Sequence, residues 1–165
     1  MSDPAEVAVQ AALDRLGVEH ELVACDPSLA DTAAFCEAYG YAPEDSANTI
    51  VVIGKADPPR YVACVVLATT RLDVNRAVKQ RLGVRKASFA DADATRALTA
   101  MEIGGVTALG LPDELPIWVD ARVVERDRIV LGGGSRSWKV VGPPALLTKL
   151  PNVEVVEGLA VEAPS

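Results

Sequence analysis

Two glycine-rich segments are the parts of this sequence best suited to chemistry. Gly104 and Gly105 are adjacent, and residues 132–136 read Gly-Gly-Gly-Ser-Arg. Glycine amides are unobstructed, so such loops can present backbone N–H groups to an anion or a carbonyl oxygen. Both segments are equally compatible with ordinary turns, and Arg136 with a solvated surface cation. The two segments are therefore compatible with an oxyanion or phosphate site and with structural turns.

Several familiar catalytic arrangements are missing from the sequence. Residues 138–140 read Trp-Lys-Val and predict a strand, whereas a Walker phosphate loop ends in Gly-Lys-Ser/Thr before a helix. His20 is the sole histidine and no Gly-x-Ser-x-Gly motif occurs, so a Ser-His-Asp triad is not expected. Asp113 and Glu114 have no spacing that forces two carboxylates together. Asp120, at the end of an apolar strand, is the acid expected to border a pocket.

The cysteines are expected to be structural. Cys25, Cys36 and Cys64 lie far apart, in apolar surroundings and without a C-x-x-C pair. A zinc site formed by these thiols with His20 is the alternative, but the spacing favours buried thiols and no metal. This pattern is typical of a cytoplasmic protein. The acidic N-terminus lacks the features of a secretory signal, and the apolar runs are too short for a membrane span.

The overall charge restricts the partners. The chain has 16 Lys and Arg against 23 Asp and Glu, a formal net charge of −7. This argues against broad contact with a phosphate backbone, so DNA is not an expected partner. The densest basic stretch contains Lys79, Arg81, Arg85 and Lys86. It is either a local contact for the phosphates of a nucleic acid, which charge reversal of Arg85 and Lys86 would weaken, or a solvated helix end.

The elements that must position these residues alternate between helices and short strands. Asp3 is predicted to cap a helix that ends near Gly17, and further helices are predicted over residues 31–39, 73–82 and 91–101. Residues 47–54 and 61–70 predict a hairpin. Further strands are predicted at residues 20–25, 116–120, 128–131, 138–141 and 153–156. The fold expected is a mixed α/β single domain, residues 1–158, with a mostly antiparallel, barrel-like sheet flanked by helices and a frayed tail over 159–165.

The order of motifs adds a family resemblance. The motifs are Ser-Ala-Asn-Thr-Ile-Val-Val at residues 46–52, Arg-Leu-Asp-Val-Asn at 71–75, Ile-Gly-Gly-Val at 103–106, Ile-Trp-Val-Asp at 117–120, and Gly-Gly-Ser-Arg at 133–136 before Pro-Ala-Leu-Leu at 144–147. In this order they resemble the YbaK/ProX family of aminoacyl-tRNA editing domains. The resemblance covers roughly residues 5–158.

The resemblance implies an activity and a site. Members of this family hydrolyse the ester that joins a wrong amino acid to its tRNA, without a metal or organic cofactor. The implied partners are the aminoacyl end of a tRNA and an aminoacyl-tRNA synthetase. The resemblance and the residue types of the second glycine segment (residues 132–136) together predict the site. The predicted catalytic positions are Asn48, Thr49, Gly104 and Gly105. The predicted substrate-binding positions are Thr32, Asp120, Gly132, Gly133, Ser135 and Arg136.

Asn48 departs from the family pattern, which places a lysine immediately before the threonine. Asparagine offers neutral hydrogen bonds, roughly half as strong as those of a charged donor. Two hypotheses follow: a trans-acting deacylase, or a non-catalytic module that binds an aminoacyl-adenosine, a nucleotide or an amino acid. Whether Lys139 or Arg136 supplies the missing charge from another strand depends on the three-dimensional surroundings of Asn48. Ala108 in the family's proline position and Gly132, where some members carry serine, are lesser departures.

Overall fold

The computed structural model describes residues 3–163, so the outermost residues of the predicted domain and tail lie outside the described part. The helices are α1 Pro4–Leu16, α2 Thr32–Tyr39, α3 Lys79–Leu82, α4 Ala92–Thr99, α5 Ala121–Val124 and α6 Ala145–Thr148. The strands are β1 Glu21–Ala24, β2 Ala47–Gly54, β3 Arg60–Leu67, β4 Thr70–Leu72, β5 Ala87–Phe89, β6 Ile117–Asp120, β7 Ile129–Gly132, β8 Trp138–Gly142, β9 Val153–Val156 and β10 Ala160–Glu162. This mixed α and β single domain confirms the predicted fold class.

The predicted signals at the ends of the first helices are present. The Asp3 carboxylate accepts the Ala5 N–H at 2.8 Å, and the Glu6 side chain closes the capping box on the Asp3 N–H. Gly17 and Gly40 end α1 and α2 in the left-handed conformation that glycine tolerates best. Both ends of α1 and the C-terminal end of α2 are therefore set by local sequence.

The strands of the described residues form three sheets. The largest has the order β5-β2-β3-β6-β9, the second β1-β8-β7, and the third pairs β10 with β4. The β2–β3 hairpin is antiparallel as predicted, whereas β6 runs parallel to both β3 and β9. An isolated bridge between Ser46 and Val130 joins the two larger sheets. The large sheet keeps two edges, so the expected curl toward a barrel does not become a closed barrel.

Apolar clusters cover both faces of the large sheet. Ala63 and Val65 of β3 belong to the cluster that includes Val9 of α1, whereas Val62 and Cys64 belong to a second cluster on the opposite face. Because neighbouring residues of a strand point to opposite faces, β3 is buried along nearly its whole length. The sheet is thereby held between α1 on one side and α3 with the C-terminal segment on the other.

Two predicted regions differ in the structure. The predicted helix that follows Asp73 begins with a π-helical segment, Val74–Val78, and the Asp73 side chain makes no cap hydrogen bond. The segment predicted to be frayed instead contains β10, and Leu159 and Ala160 are buried. Pairing with β4, which is remote along the chain, orders this segment. Within residues 3–163, no helix is long and apolar enough to cross a membrane.

Candidate active site

A cavity of about 270 Å³ opens where the first turn of α2, the start of β2, the first glycine loop (residues 103–106) and β7–β8 meet. Five of the predicted site residues line it: Thr32, Asn48, Thr49, Gly104 and Gly132. The remaining lining residues are Ala30, Asp31, Phe35, Ser46, Ala47, Ile50, Val51, Ala90, Thr95, Ile103, Val106, Val130, Leu131 and Lys139. Segments that are distant along the chain thus converge on one hollow.

The lining of the cavity carries a polar pair from two elements. The Thr32 hydroxyl donates to the Asn48 carbonyl oxygen Oδ1 at 2.9 Å. Thr32 is placed there as the first residue of α2, after the cap residue Asp31. Thr49 is buried beside them, and its Oγ1 has no hydrogen-bond partner among the described residues. A buried hydroxyl without a partner is costly and marks a position where a ligand can supply the missing contact.

Lys139 is the buried cation of this cavity. It lies opposite Gly132 in the antiparallel register of β7 and β8, and only 7% of its surface is exposed. Its ammonium donates to the carbonyl oxygens of Ala30 at 2.7 Å and Gly104 at 2.8 Å, and lies 5.5 Å from the centroid of the Phe35 ring. An ammonium has three N–H donors, so one is left beyond these two carbonyls.

The electrostatics of Lys139 follow from its burial. Desolvation lowers the pKa of Lys139 from its ordinary value, and the positive charge of Arg136 acts in the same direction. The carboxylate of Asp31 opposes this shift, as would a negative charge on Cys25. The side chain of Asp31 is largely exposed, so its attraction is screened by solvent.

Arg136 supports the cavity from outside its lining. Its Nε donates to the carbonyl oxygen of Pro27 at 2.9 Å, and its Nη1 donates to Asp31 Oδ1 at 3.1 Å and to the Ile103 carbonyl at 2.8 Å. The guanidinium therefore ties the loop before α2 to the first glycine loop. These three hydrogen bonds are with the protein, and Arg136 is not among the residues that line the cavity.

Gly104 is constrained in two ways. Its φ is 94°, in the left-handed region that side chains rarely adopt, and the Arg136 guanidinium occupies the space that a Cβ would take. Its carbonyl accepts the Lys139 hydrogen bond. A glycine at this position thus lets the loop approach both basic side chains.

Gly105 joins the two glycine loops instead of facing the cavity. An added Cβ would lie 2.7 Å from the Ser135 Cα, and the Gly105 carbonyl accepts the Gly134 N–H at 2.7 Å. Its own N–H donates to the Glu102 carbonyl at 2.9 Å. The amide is therefore engaged in a turn, which differs from its predicted place in an oxyanion site.

Three further predicted residues lie outside the cavity lining. Gly133 packs against the Trp138 backbone, and the Ser135 hydroxyl donates to the Glu6 carboxylate of α1. Asp120 is buried, but its Oδ1 accepts the Ala160 N–H at 3.2 Å on the side of the sheet that faces β10. The end of a strand is a frequent pocket border, yet alternation along β6 turns this carboxylate away.

The cysteines are free and buried, as predicted. Burial raises the pKa of all three thiols, and that of Cys64 to about 12. In the described part of the chain, no three His, Cys, Asp or Glu side chains are grouped so that they could hold a metal ion.

Several lining residues were not predicted from sequence. Phe35 follows Thr32 by one helical turn on α2, so the spacing of three was a usable signal once Thr32 had been selected. Thr95 comes from α4 and Val130 from β7, and neither carries a local pattern that marks a pocket. Their positions depend on how the sheets and helices pack.

A comparison with protein families identifies the group. The model for the aminoacyl-tRNA editing domain matches residues 26–150. This chain belongs to that family. The matched range contains every residue that lines the cavity, and the resemblance inferred from the order of motifs is confirmed. Helix α1 and strands β1, β9 and β10 lie outside the match.

Several solved structures share the architecture of this chain. A candidate trans-editing enzyme for prolyl-tRNA synthetase is 22% identical, with a TM-score of 0.82 and coverage of 99% of this chain and 100% of the other. A scaffold protein from an epitope-grafting design is 23% identical, with a TM-score of 0.81 and the same coverage. A hypothetical protein is 21% identical, with a TM-score of 0.82, covering 93% and 99% of the two chains. At these identities the likeness shows the fold.

Proposed function

We propose that this protein is a trans-acting deacylase of the cytoplasm that hydrolyses the ester of a mischarged aminoacyl-tRNA in the cavity at Asn48 and Lys139. The observation that carries the proposal is the buried Lys139 ammonium, held at the lining by two carbonyls with one N–H donor to spare. Asn48 occupies the position, immediately before Thr49, where the family pattern places a lysine. Lys139 returns a positive charge to the same cavity from another strand.

The chemistry requires positioning more than a nucleophilic side chain. A water oxygen adds to the ester carbonyl carbon, and the carbonyl oxygen becomes an oxyanion. The bond to the ribose oxygen then breaks, and that oxygen takes up one proton of the attacking water. The other proton is released when the carboxyl group of the amino acid ionises. The products are a free amino acid and an uncharged tRNA. The third N–H of Lys139 stabilises the oxyanion, an interaction that is strong where water is excluded.

The other predicted residues divide into those that contact substrate and those that support them. The pair formed by Thr32 and Asn48 and the free hydroxyl of Thr49 orient the aminoacyl group. Gly104 and Gly132 shape the wall. The proposed supporting residues are Gly105, Asp120, Gly133, Ser135 and Arg136, which hold the two loops and the adjoining strand in place.

The size of the cavity favours a small aminoacyl group. Its volume of about 270 Å³ lies just below the roughly 300–1,000 Å³ of typical ligand pockets. Since one solved relative is described as a candidate trans-editing enzyme for prolyl-tRNA synthetase, tRNA for proline charged with smaller amino acids is the first substrate to test. That synthetase is the corresponding candidate partner.

A panel of mischarged tRNAs tests the proposal. Each tRNA, labelled in its amino acid, is incubated with the purified protein, and loss of the ester is measured against spontaneous hydrolysis. We expect acceleration for at least one small amino acid. Lys149→Met, at an exposed lysine that lines a different cleft, is the control for Lys139→Met. No acceleration on any tRNA would remove the enzyme hypothesis.

The second candidate function is a non-catalytic module that binds the same aminoacyl end. It is favoured by one observation: Asn48 is neutral and its Oδ1 is already engaged by Thr32. Asn48→Lys separates the two functions. If the parent is inert and Asn48→Lys hydrolyses the ester, the parent is a binder on a catalytic scaffold. The deacylase proposal expects activity in the parent.

A further inference from the structure

Two neighbouring clefts outside the cavity concentrate positive charge. They share Asn75, and six Lys and Arg residues line them. These six residues are here called the basic face: Lys55, Arg71, Arg76, Lys79, Arg85 and Lys86. Of the described residues, Asp73 is the sole acidic one that lines either cleft. Arg81, which the sequence grouped with this stretch, instead pairs with Glu154.

The basic face contrasts with the charge of the whole chain. The sequence carries 23 acidic and 16 basic residues, yet six of the basic ones line these two clefts. Ion pairs among residues 3–163 engage Arg81, Arg126, Arg128 and Arg136, none of which belongs to the basic face. Neighbouring unpaired charges of one sign repel each other, and a bound polyanion relieves that repulsion.

Strand β5 connects the basic face with the cavity. Three consecutive residues border three different hollows: Ser88 lines one cleft, Phe89 the other, and Ala90 the cavity. β5 is an edge of the large sheet, and Phe89 is 56% exposed. An exposed aromatic ring beside basic side chains provides a stacking surface for an unpaired base.

We propose that the basic face binds the phosphate backbone of the tRNA acceptor stem and that Phe89 stacks on an unpaired base near its 3′ end. The inference rests on the proposed function, because the aminoacyl group must occupy the cavity that begins at Ala90. The stem then leads away over β5 toward Lys79 and Arg85. Six cations suffice for local contact with one stem, consistent with an acidic protein that does not bind nucleic acid broadly.

The test compares two double variants of equal charge change. Lys79→Gln with Arg85→Gln neutralises two cations of the basic face. Arg15→Gln with Lys149→Gln is the matched control, because these exposed residues line a separate cleft that shares no residue with the basic face. Binding of an uncharged acceptor-stem minihelix ending in CCA is measured by fluorescence anisotropy over a range of salt concentrations.

We expect the first double variant to bind the minihelix about tenfold more weakly and to lower the slope of log K against log salt by about 2, one for each cation removed. The control keeps the parental affinity and slope. Equal affinities and equal salt slopes of the two double variants, or no binding of the minihelix by the parent, would overturn the proposed interface. Thermal unfolding verifies that the variants remain folded.

Hydrolysis of a short substrate separates this inference from the proposed function. An aminoacylated CCA trinucleotide reaches the cavity without a stem, so the parent and both double variants should hydrolyse it equally. If the trinucleotide and the minihelix are both hydrolysed but KM for the minihelix is the same in all three proteins, the interface is wrong and the deacylase stands. If nothing is hydrolysed while the minihelix binding behaves as expected, the deacylase is wrong and the interface stands.

Phe89 has its own variant. Phe89→Leu keeps an apolar side chain at the exposed position but removes the ring. Since stacking on an aromatic side chain contributes substantially for each base, we expect affinity for the minihelix to fall about tenfold, while a blunt-ended stem without the CCA end binds the parent and the variant equally. Unchanged affinity for the CCA-ended minihelix would overturn the stacking contact.

Discussion

Lys139→Met tests whether the buried ammonium acts in the reaction or only in the fold. Methionine keeps most of the side-chain length and the packing beside Phe35, but removes the charge and all three donors. If the third N–H meets the oxyanion, we expect kcat to fall about 10²–10³-fold, the usual cost of losing one oxyanion donor. The assay is release of the labelled amino acid from the best tRNA of the panel.

The same change has a calculable cost in stability. Two hydrogen bonds to charged groups are lost, those to the carbonyls of Ala30 and Gly104, each worth roughly 1.5–3 kcal/mol. Removing a buried charge returns part of this, because its desolvation penalty disappears. We therefore expect a net loss of about 2 kcal/mol, which lowers Tm by about 4–8 °C in a chain of this size. Kinetics are measured well below the Tm of the variant.

The pH dependence gives an independent readout. Burial lowers the pKa of Lys139 from its ordinary value, so the rate should decline as pH rises through this lowered pKa. Lys139→Arg keeps its charge to higher pH, and its remaining activity should not show that decline. The free energy of unfolding depends on pH in the opposite direction to the rate. Above the ordinary lysine pKa the parent gains stability relative to Lys139→Met, and this gain is lost as pH falls through the lowered pKa.

A parental rate in a fully folded Lys139→Met would refute the reasoning. Lys139 would then serve only to join the loop before α2 to the first glycine loop. Lys149→Met, at an exposed position, should leave both the rate and Tm unchanged.

Three other predictions concern buried positions. Thr49→Val replaces a buried hydroxyl that has no hydrogen-bond partner among the described residues by a methyl group. The free energy of unfolding should rise by about 1 kcal/mol, while deacylation slows. A parental rate would show that the hydroxyl does not act in deacylation. Gly105→Ala places a Cβ 2.7 Å from the Ser135 Cα and should lower the free energy of unfolding by about 3 kcal/mol. Its control is Gly158→Ala, in open space, which should cost only about 1 kcal/mol. Equal melting curves of the two variants would contradict the packing. Cys64, with its pKa raised to about 12, should resist a thiol reagent until the protein unfolds, and rapid native labelling would contradict its burial.

The sequence predicted the elements that depend on short-range interactions. Asp3, Pro4 and Gly17 act within one turn of the helix they delimit, so the ends of α1 were readable from the residues alone. The β2–β3 hairpin was readable for a similar reason, since two long apolar runs flank one loop. β4 and β10 were missed because each has three residues and forms only through pairing with the other.

The candidate site was predicted in part. The order of motifs selected Thr32, Asn48 and Gly104, which line the cavity. The same reasoning placed Asp120 beside substrate, although alternation along β6 directs it toward β10. A motif indicates which residues belong to a region, but the face to which each side chain points depends on register.

The sequence by itself determined the local helix caps, the main hairpin, the burial of the cysteines and the family, because these depend on residue types, on neighbours and on the order of motifs. Only the tertiary structure decided which cation lines the cavity. Lys139 reaches Gly104 because β8 pairs with β7 in one register while the first glycine loop packs against the second. That contact joins residues remote along the chain, so it depends on packing of the whole domain and leaves no local pattern.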